Sequence, residues 1–191
     1  AMSDEFVEYA NYQQPGSSND FFQNFNSSVY TRMDPAWAYL EDPVSGAVDP
    51  RIRHSEQEGF SLRENWPVYL QLKYVDRSAD IPVSSADEAR LIIAEYELMF
   101  GDLQAAVDII NQLRSNVGLA EFSSTDPQEV MDQFRYERRV ELWLELRRWQ
   151  DMRYYEIVSN RWADANIALG VHRRWPVSQR ERSTNPYYTG G

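Results

Sequence analysis

Residues 137–153, ERRVELWLELRRWQDMR, constrain the fold more than any other stretch of this chain. Their apolar side chains recur at helical spacing, and they project from nearly every side of the predicted helix. A helix with this pattern is buried on nearly all sides. Upstream, Asp126 and Pro127 are typical of an N-cap and a first helical position. We therefore predict one long, buried helix that begins after Asp126 and continues through this segment.

Charged side chains run along this apolar helix. Glu137, Glu141 and Glu145 are four residues apart, so they share one side, where like charges repel. Arginines of the same helix are close enough to neutralise them. Paired carboxylates would suit the acid–base chemistry of a glycosidase, but neighbouring guanidinium groups keep carboxylates ionised, whereas a general acid must hold a proton. We therefore favour a structural network of ion pairs, which consists of Glu137, Arg138, Glu141, Glu145, Arg148 and Asp151.

The preceding stretch predicts two helices joined by a short turn. Ser85 and Glu88 form a capping box. Gly101 ends the first helix, and Asp102 caps the second helix, which ends at Gly118. Two helices with so short a link pack antiparallel as an αα-hairpin, and its length is close to that of one tetratricopeptide repeat. The first helix carries an apolar stripe formed by Ala89, Ile92, Ile93 and Tyr96.

The first part of the chain has a different character. It is rich in turn formers and aromatic residues, which predicts long irregular loops. Asp34 and Pro35 predict a short helix, and the alternation over residues 66–75 predicts a short strand. The fold class is therefore mainly α, with long irregular loops and few short strands. We divide the chain into a loop-rich aromatic segment, residues 1–84, and a helical region, residues 85–191, within one compact unit.

The composition excludes several functions. Among 191 residues, 30 acidic and 19 basic side chains give a net charge of −11, which disfavours binding to a nucleic-acid backbone. The chain has no Cys and only two His, which excludes thiol chemistry, cysteine-ligated metals and histidine-rich metal sites. No phosphate loop, dinucleotide fingerprint or nucleophile elbow is present. We therefore predict no cofactor, no metal and no nucleic-acid partner.

Several segments, in order along the chain, resemble the carboxyl-terminal region of the SusD/RagB family. Residues 137–153 resemble its motif Glu-Arg-Arg-x-Glu-Leu-x-x-Glu-Gly, with Leu146 in place of the usual Gly. Because of that replacement, we expect the helix to run straighter through this point. Shorter matches lie at residues 49–51, 73–74, 82–95, 101–119 and 175–186.

This resemblance implies a fold and a function. Family members are outward-facing lipoproteins of the bacterial outer membrane with tetratricopeptide-like helix pairs, and they capture oligosaccharides or peptides without catalysis. They act in nutrient uptake with SusC-type TonB-dependent transporters. We therefore expect a non-enzymatic, carbohydrate-binding partner of such a transporter on the external face of the outer membrane. Members are more than twice as long, so we expect this chain to be either a carboxyl-terminal part or a naturally short relative, with a lipid anchor that lies outside the sequence given.

The ligand-binding residues are predicted from the aromatic clustering in the loops. Trp and Tyr combine a flat apolar face with a polar edge, which suits stacking on sugar rings. The candidates are Tyr30, Trp37 and Tyr39. Two other functions stay open at this point: a tetratricopeptide-like interaction module whose helical hairpin docks another chain, and a glycosidase.

Overall fold

A computed structural model describes residues 6–10, 18–27, 33–60 and 66–157 of the chain. The chain forms two compact units, Ala1–Leu146 and Arg147–Gly191. The predicted division at residue 84 is not tested by this arrangement and stays a prediction. In chain order, the elements are β1 (Val7–Ala10), α1 (Asp20–Phe22), a π-helical turn (Gln23–Ser27), α2 (Pro35–Ala38), β2 (Ile81–Ser85), α3 (Ala86–Phe100), α4 (Leu103–Asn116), α5 (Pro127–Glu141) and α6 (Arg148–Tyr154). The prediction of a mainly helical chain with few short strands is confirmed.

Helices α3 and α4 form the predicted hairpin, and α5 packs against both. The Ser85 hydroxyl accepts a hydrogen bond from the Glu88 amide, and the Asp102 carboxylate accepts one from the Gln104 amide. These two N-caps satisfy amides that have no partner within their helices. Gly118 follows α4 with a φ of 74°, a conformation that suits Gly. Whether the hairpin belongs to a tetratricopeptide-like array stays a prediction.

The face of α3 that is buried is not the predicted apolar stripe. Leu91 and Ala94 are fully buried, whereas Ile92, Ile93 and Tyr96 are exposed. The stripe and the buried residues lie on opposite sides of the helix, because a residue advances about 100° around the axis. Helix α3 is therefore apolar on two sides.

The loop-rich segment contains little regular structure. Strands β1 and β2 pair antiparallel, with Val7 opposite Ser85 and Ala10 opposite Ile81, a pairing that the sequence did not predict. The short helix capped by Asp34 is confirmed as α2, where the Asp34 carboxylate accepts a hydrogen bond from the Ala36 amide.

The predicted strand over residues 66–75 is wrong. Only two isolated bridges form there, Phe60 with Pro67 and His54 with Gln71. Residues 68–72 still bond the backbone of residues 53–59, for example from the Leu72 amide to the Arg53 carbonyl at 2.8 Å. Side chains add to this irregular pairing: the Gln71 amide donates to the Asn26 side chain, and the Gln71 side chain bonds the backbone of Tyr74. The backbone of this segment is therefore satisfied by an irregular pairing with residues 53–59 and by side chains, and no regular strand forms.

The predicted long helix is also interrupted. Helix α5 ends at Glu141, and residues 142–146 form turns before α6 begins at Arg148. The Trp143 carbonyl accepts a hydrogen bond from Lys73 Nζ at 2.7 Å, and the Leu144 carbonyl accepts one from the Tyr74 hydroxyl at 3.1 Å. Two carbonyls in the interruption are therefore hydrogen-bonded by residues that are distant in sequence. These contacts outweigh the local helical pattern.

The backbone at Leu146 explains why the family motif has Gly there. Leu144 and Leu146 both have a positive φ, at 60° and 65°, and this left-handed conformation favours Gly over residues with a Cβ. The expectation that Leu146 straightens the helix is therefore wrong, because the turn forms despite the side chain.

We predict that Leu146→Gly raises the free energy of unfolding by about 1 kcal/mol, since it relieves a left-handed Leu. Little packing is lost, because Leu146 is 70% exposed. Urea unfolding would measure the change. Ile92→Gly is the matched control: Ile92 is exposed on the regular helix α3, where Gly costs about 1 kcal/mol. Equal destabilisation by both changes would contradict the explanation.

Candidate functional site

A network of buried ion pairs joins the loop-rich segment to the helices. It runs from Asp42 to Arg114, Glu137, Arg51 and Asp49 in turn. The side chains of Asp42, Asp49, Arg114 and Glu137 are completely buried, and that of Arg51 is nearly so. Arginine suits this position because its planar guanidinium group bonds several carboxylate oxygens at once.

Arg114 of α4 forms the first half of this network. Its two terminal nitrogens bond both carboxylate oxygens of Asp42, at 2.7 and 3.0 Å. The nitrogen at 2.7 Å also donates to Glu137 Oε1 at 2.7 Å, and Arg114 Nε donates to the Ala120 carbonyl at 2.6 Å. One guanidinium group therefore holds the loop at Asp42, helix α5 and the end of the hairpin together.

Arg51 forms the second half. It bonds both carboxylate oxygens of Asp49, at 2.9 and 2.7 Å, and donates to Glu137 Oε2 at 2.6 Å. Its contact with Glu141 is longer, at 3.4 Å. The Tyr136 hydroxyl completes the shell of Asp49 at 3.0 Å. Glu137 is thus held between two arginines, one on each carboxylate oxygen.

The partners of the acidic row differ from those predicted. Among the described residues, Glu137 and Glu141 pair with arginines from outside helix α5, and Glu145 pairs with Lys73 of the loop segment at 2.6 Å. The expectation that arginines of the same helix neutralise Glu137 and Glu141 is therefore wrong. Spacing within a helix could not reveal partners that are up to 90 residues away in sequence. Arg138 lies on α5, and Arg148 and Asp151 lie on α6; their place in a structural network stays a prediction.

The network controls the protonation of its carboxyl groups. Burial would raise the pKa of Asp42, but hydrogen bonds from Arg114 and Ser45 hold it well below its usual range. At Asp49, burial would likewise raise the pKa, but hydrogen bonds from Arg51 and Tyr136 outweigh it, and the pKa is lowered. Glu141 differs: burial raises its pKa, and the Arg51 contact offsets this only in part. Four carboxyl groups share two arginines here, and Glu141 is the one that is least neutralised.

A cluster of three rings lies in the loop segment that this network anchors. Tyr39, His54 and Tyr69 contact one another edge to face, with ring centres 5.5–5.7 Å apart and interplanar angles of 72–87°. Tyr69 is buried, His54 is half-buried and Tyr39 is 57% exposed. His54 Nδ1 lies 2.7 Å from the Ser55 carbonyl, which fixes the plane of the imidazole. We call these three residues the ring cluster.

The ring cluster is built on the hydrophobic core. Tyr69 packs in the core, and the members of that core cluster are Met33, Ala38, Ile52, Tyr69, Val140 and Trp143. Burial raises the pKa of the Tyr69 hydroxyl, and a hydrogen bond with Tyr39 acts in the same direction. The exposed ring of Tyr39 is therefore held by two rings whose own positions are fixed.

Two of the three predicted ligand-binding residues are described by the structure, and they differ in exposure. Tyr39 presents its ring to solvent. Trp37 is half-buried: the Arg139 guanidinium lies 4.2 Å from its ring centre, and Trp143 packs beside it with the ring centres 6.1 Å apart. Tyr30 lies outside the described residues. All three assignments stay predictions, and of the two described residues Tyr39 has the more exposed ring.

Sequence reasoning did not include His54 and Tyr69 in the candidate surface. They are 15 and 30 residues from Tyr39 in sequence, and only the folding of the segment around Ile52 and Tyr69 brings them together. The available signal was the alternation over residues 66–75, which places Tyr69 among apolar neighbours but does not identify its partners.

In the part of the chain that the structure describes, there is neither a candidate metal site nor a candidate membrane-spanning helix. No group of three His, Asp or Glu side chains is suited to hold a metal ion there. The Asp42 and Asp49 carboxylates bond arginines instead. No helix among those residues is long and apolar enough to cross a membrane.

The fold and the site together define a helical scaffold that carries loops rich in aromatic residues. The chain belongs to the SusD family, whose model matches residues 52–189. No curated protein is similar to it.

Two solved structures are similar to this chain. A SusD superfamily protein from Bacteroides vulgatus is 16% identical over 72% of this chain and 35% of its own, with a TM-score of 0.53. A SusD-like protein from Bacteroides fragilis is 29% identical over 47% of this chain and 20% of its own, with a TM-score of 0.45. The first supports the fold. The chain spans about a third or less of either protein.

We predict that the ion network makes the protein sensitive to acid. Asp42 and Asp49 have lowered pKa values in the folded state, so they stabilise it above the unfolded value of 3.8 and lose this effect as the pH falls further. The free energy of unfolding should therefore decrease below about pH 4. Urea titrations between neutral pH and pH 2.5 would measure this decrease.

Asp49→Asn should flatten this acid limb, because it removes one of the two carboxyl groups of the network whose pKa is lowered. Glu141→Gln is the control. The pKa of Glu141 is raised in the folded state, so its protonation favours that state, and its effect on stability as the pH falls is opposite to that of Asp49. An acid limb that is equally steep in Asp49→Asn and in the wild type would contradict the assignment.

Proposed function

We propose that this chain is part of a non-catalytic protein that captures oligosaccharides at the bacterial outer membrane. The observation that carries the proposal is the exposed ring of Tyr39, held edge to face by His54 and Tyr69. Membership of the SusD family supports the nutrient-binding role. The ligand class, the partner and the location extend beyond the family match and belong to the proposal.

The ring cluster is suited to sugars for a physical reason. A pyranose presents a face of C–H groups that packs on an aromatic ring, while its hydroxyls bond the polar edge of the site. Tyr39 offers the ring face, and its own hydroxyl and the imidazole of His54 offer polar atoms. Because His54 and Tyr69 fix the ring in advance, less conformational entropy is lost on binding. Trp37 and Tyr30 remain candidates for further contacts.

The acidic row supports binding rather than hydrolysis. A general acid must hold a proton and reach the substrate. Glu137 is completely buried between Arg51 and Arg114, so it is unsuited to reach a substrate. Glu145 bonds Lys73. These contacts favour a structural role, and the glycosidase alternative is the weaker one.

The remaining parts of the proposal follow the family. We infer that the protein acts with a SusC-type TonB-dependent transporter on the external face of the outer membrane, anchored by a lipid outside this chain. The captured ligand would pass to the transporter without chemical change.

A glycan array followed by calorimetry tests this function. The array identifies the ligand, and titration calorimetry then compares the wild type with Tyr39→Ala. We expect the Kd to rise at least tenfold, about 1.4 kcal/mol, because the stacking face is lost. Tyr96→Ala is the matched control, since Tyr96 is a Tyr of similar exposure on helix α3.

Two results would overturn the proposal. Binding to no glycan on the array would remove the ligand class. An unchanged affinity in Tyr39→Ala would move the site away from the ring cluster. Trp37→Ala, with folding checked by circular dichroism, tests the second residue, and an unchanged affinity would remove Trp37 from the site.

A further inference from the structure

Arg139 of helix α5 is a half-buried cation that lies outside the ion network. Its guanidinium group lies over the ring of Trp37, 4.2 Å from the ring centre. Trp143 packs beside the same ring, with the ring centres 6.1 Å apart. Among the described residues, no carboxylate forms an ion pair with Arg139. Aromatic packing therefore holds this guanidinium group in place of an opposite charge.

Three other arginines of low exposure have ionic partners. Arg51 and Arg114 each bond at least two carboxylates of the network. Arg90 bonds the Asp87 carboxylate at 2.7 Å. A guanidinium group that has lost part of its water needs such partners, because an uncompensated charge is costly away from solvent. Arg139 departs from this pattern.

The charge of Arg139 is only partly compensated by its surroundings. Its Nε–H group is buried and donates to no group in the described part of the chain. Burial lowers the pKa of the guanidinium group, and the nearby Tyr136 and Asp34 act in the opposite direction without cancelling this effect. The ring of Trp37 adds a cation–π attraction of about 0.5–2 kcal/mol. A polar group buried in this way is a natural place for a ligand of opposite charge.

The geometry favours a planar anion with a single charge. Because the guanidinium group lies over the ring of Trp37, its edge stays free to donate hydrogen bonds. The two terminal nitrogens on that edge match the two coplanar oxygens of a carboxylate. A phosphate carries nearly two charges, and the net charge of −11 opposes it more strongly.

We propose that Arg139 binds the carboxylate of an acidic sugar, a uronic acid unit of the captured oligosaccharide. This inference rests on the proposed sugar-binding function and names a charged class of ligand for it. Trp37 is then a positioning residue, which holds the guanidinium group for the ligand. Trp37 packs against the hydrophobic core cluster that contains Tyr69, so the anion site and the ring cluster share one support.

A pair of glycans that differ only in charge tests this inference. The glycan array carries neutral, sulfated and uronic acid sugars, and we expect uronic acid glycans among those bound. Titration calorimetry then compares the uronic acid glycan that binds best with the same glycan after reduction of its carboxyl groups to alcohols. In the wild type, the reduced form should have a Kd about tenfold higher or more. In Arg139→Gln, this ratio of Kd values should fall to about one, because the cation that distinguishes the two glycans is gone.

Two further variants serve as controls. Arg77→Gln removes the same charge from an exposed residue of the loop segment, so the ratio should stay as in the wild type. Arg139→Lys keeps the charge but loses the planar pair of donors, so it should give an intermediate ratio. A general disturbance of folding weakens both glycans alike and does not change the ratio.

The outcomes separate this inference from the sugar-binding function. An array that shows only neutral or only sulfated glycans would overturn the uronic acid assignment and leave sugar binding in place. An unchanged ratio in Arg139→Gln would also overturn it, and the contact with Trp37 would then be structural alone. Binding to no glycan would overturn the sugar-binding function, and this inference with it.

Discussion

The buried carboxylate of Glu137, held between Arg51 and Arg114, is the interaction on which the rest of the structure depends. One arginine belongs to the loop-rich segment and the other to the helical hairpin, so a single side chain of α5 joins both parts. Removing one member of a buried ion pair leaves an uncompensated charge and costs about 3–5 kcal/mol. The loops, which contain little regular secondary structure, thus derive their fixed position from electrostatic contacts as well as from the core.

This constraint has a consequence for function. Binding loops must be irregular to present side chains, but they must also be rigid to bind without a large entropic cost. Here Asp42 and Asp49, at the two ends of one loop, bond Arg114 and Arg51. In the sequence, Tyr39 precedes this loop, and His54 and Tyr69 follow it. The exposed ring of Tyr39 is consequently preorganised.

The sequence predicted the elements whose signals are local and missed those that depend on distant contacts. Caps at Asp34, Ser85, Asp102 and Asp126 are confirmed, because a cap involves residues two or three positions apart. The break after Glu141 was missed, since Lys73 and Tyr74 supply the bonds that replace helix there. The charged row was predicted to be structural, and that role stays a prediction. Its partners, like the contacts of Tyr39 with His54 and Tyr69, are set by the fold.

Hydrogen exchange tests the central role of Glu137 most directly. The amides of Asp42 and Asp49 are hydrogen-bonded within the loop, and their exchange reports its opening. In Glu137→Gln, these amides should exchange about 100-fold faster or more, as expected for a loss of about 3 kcal/mol. In Glu141→Gln, one helical turn away, they should change little. Equal protection of the loop amides in the two variants would contradict the account.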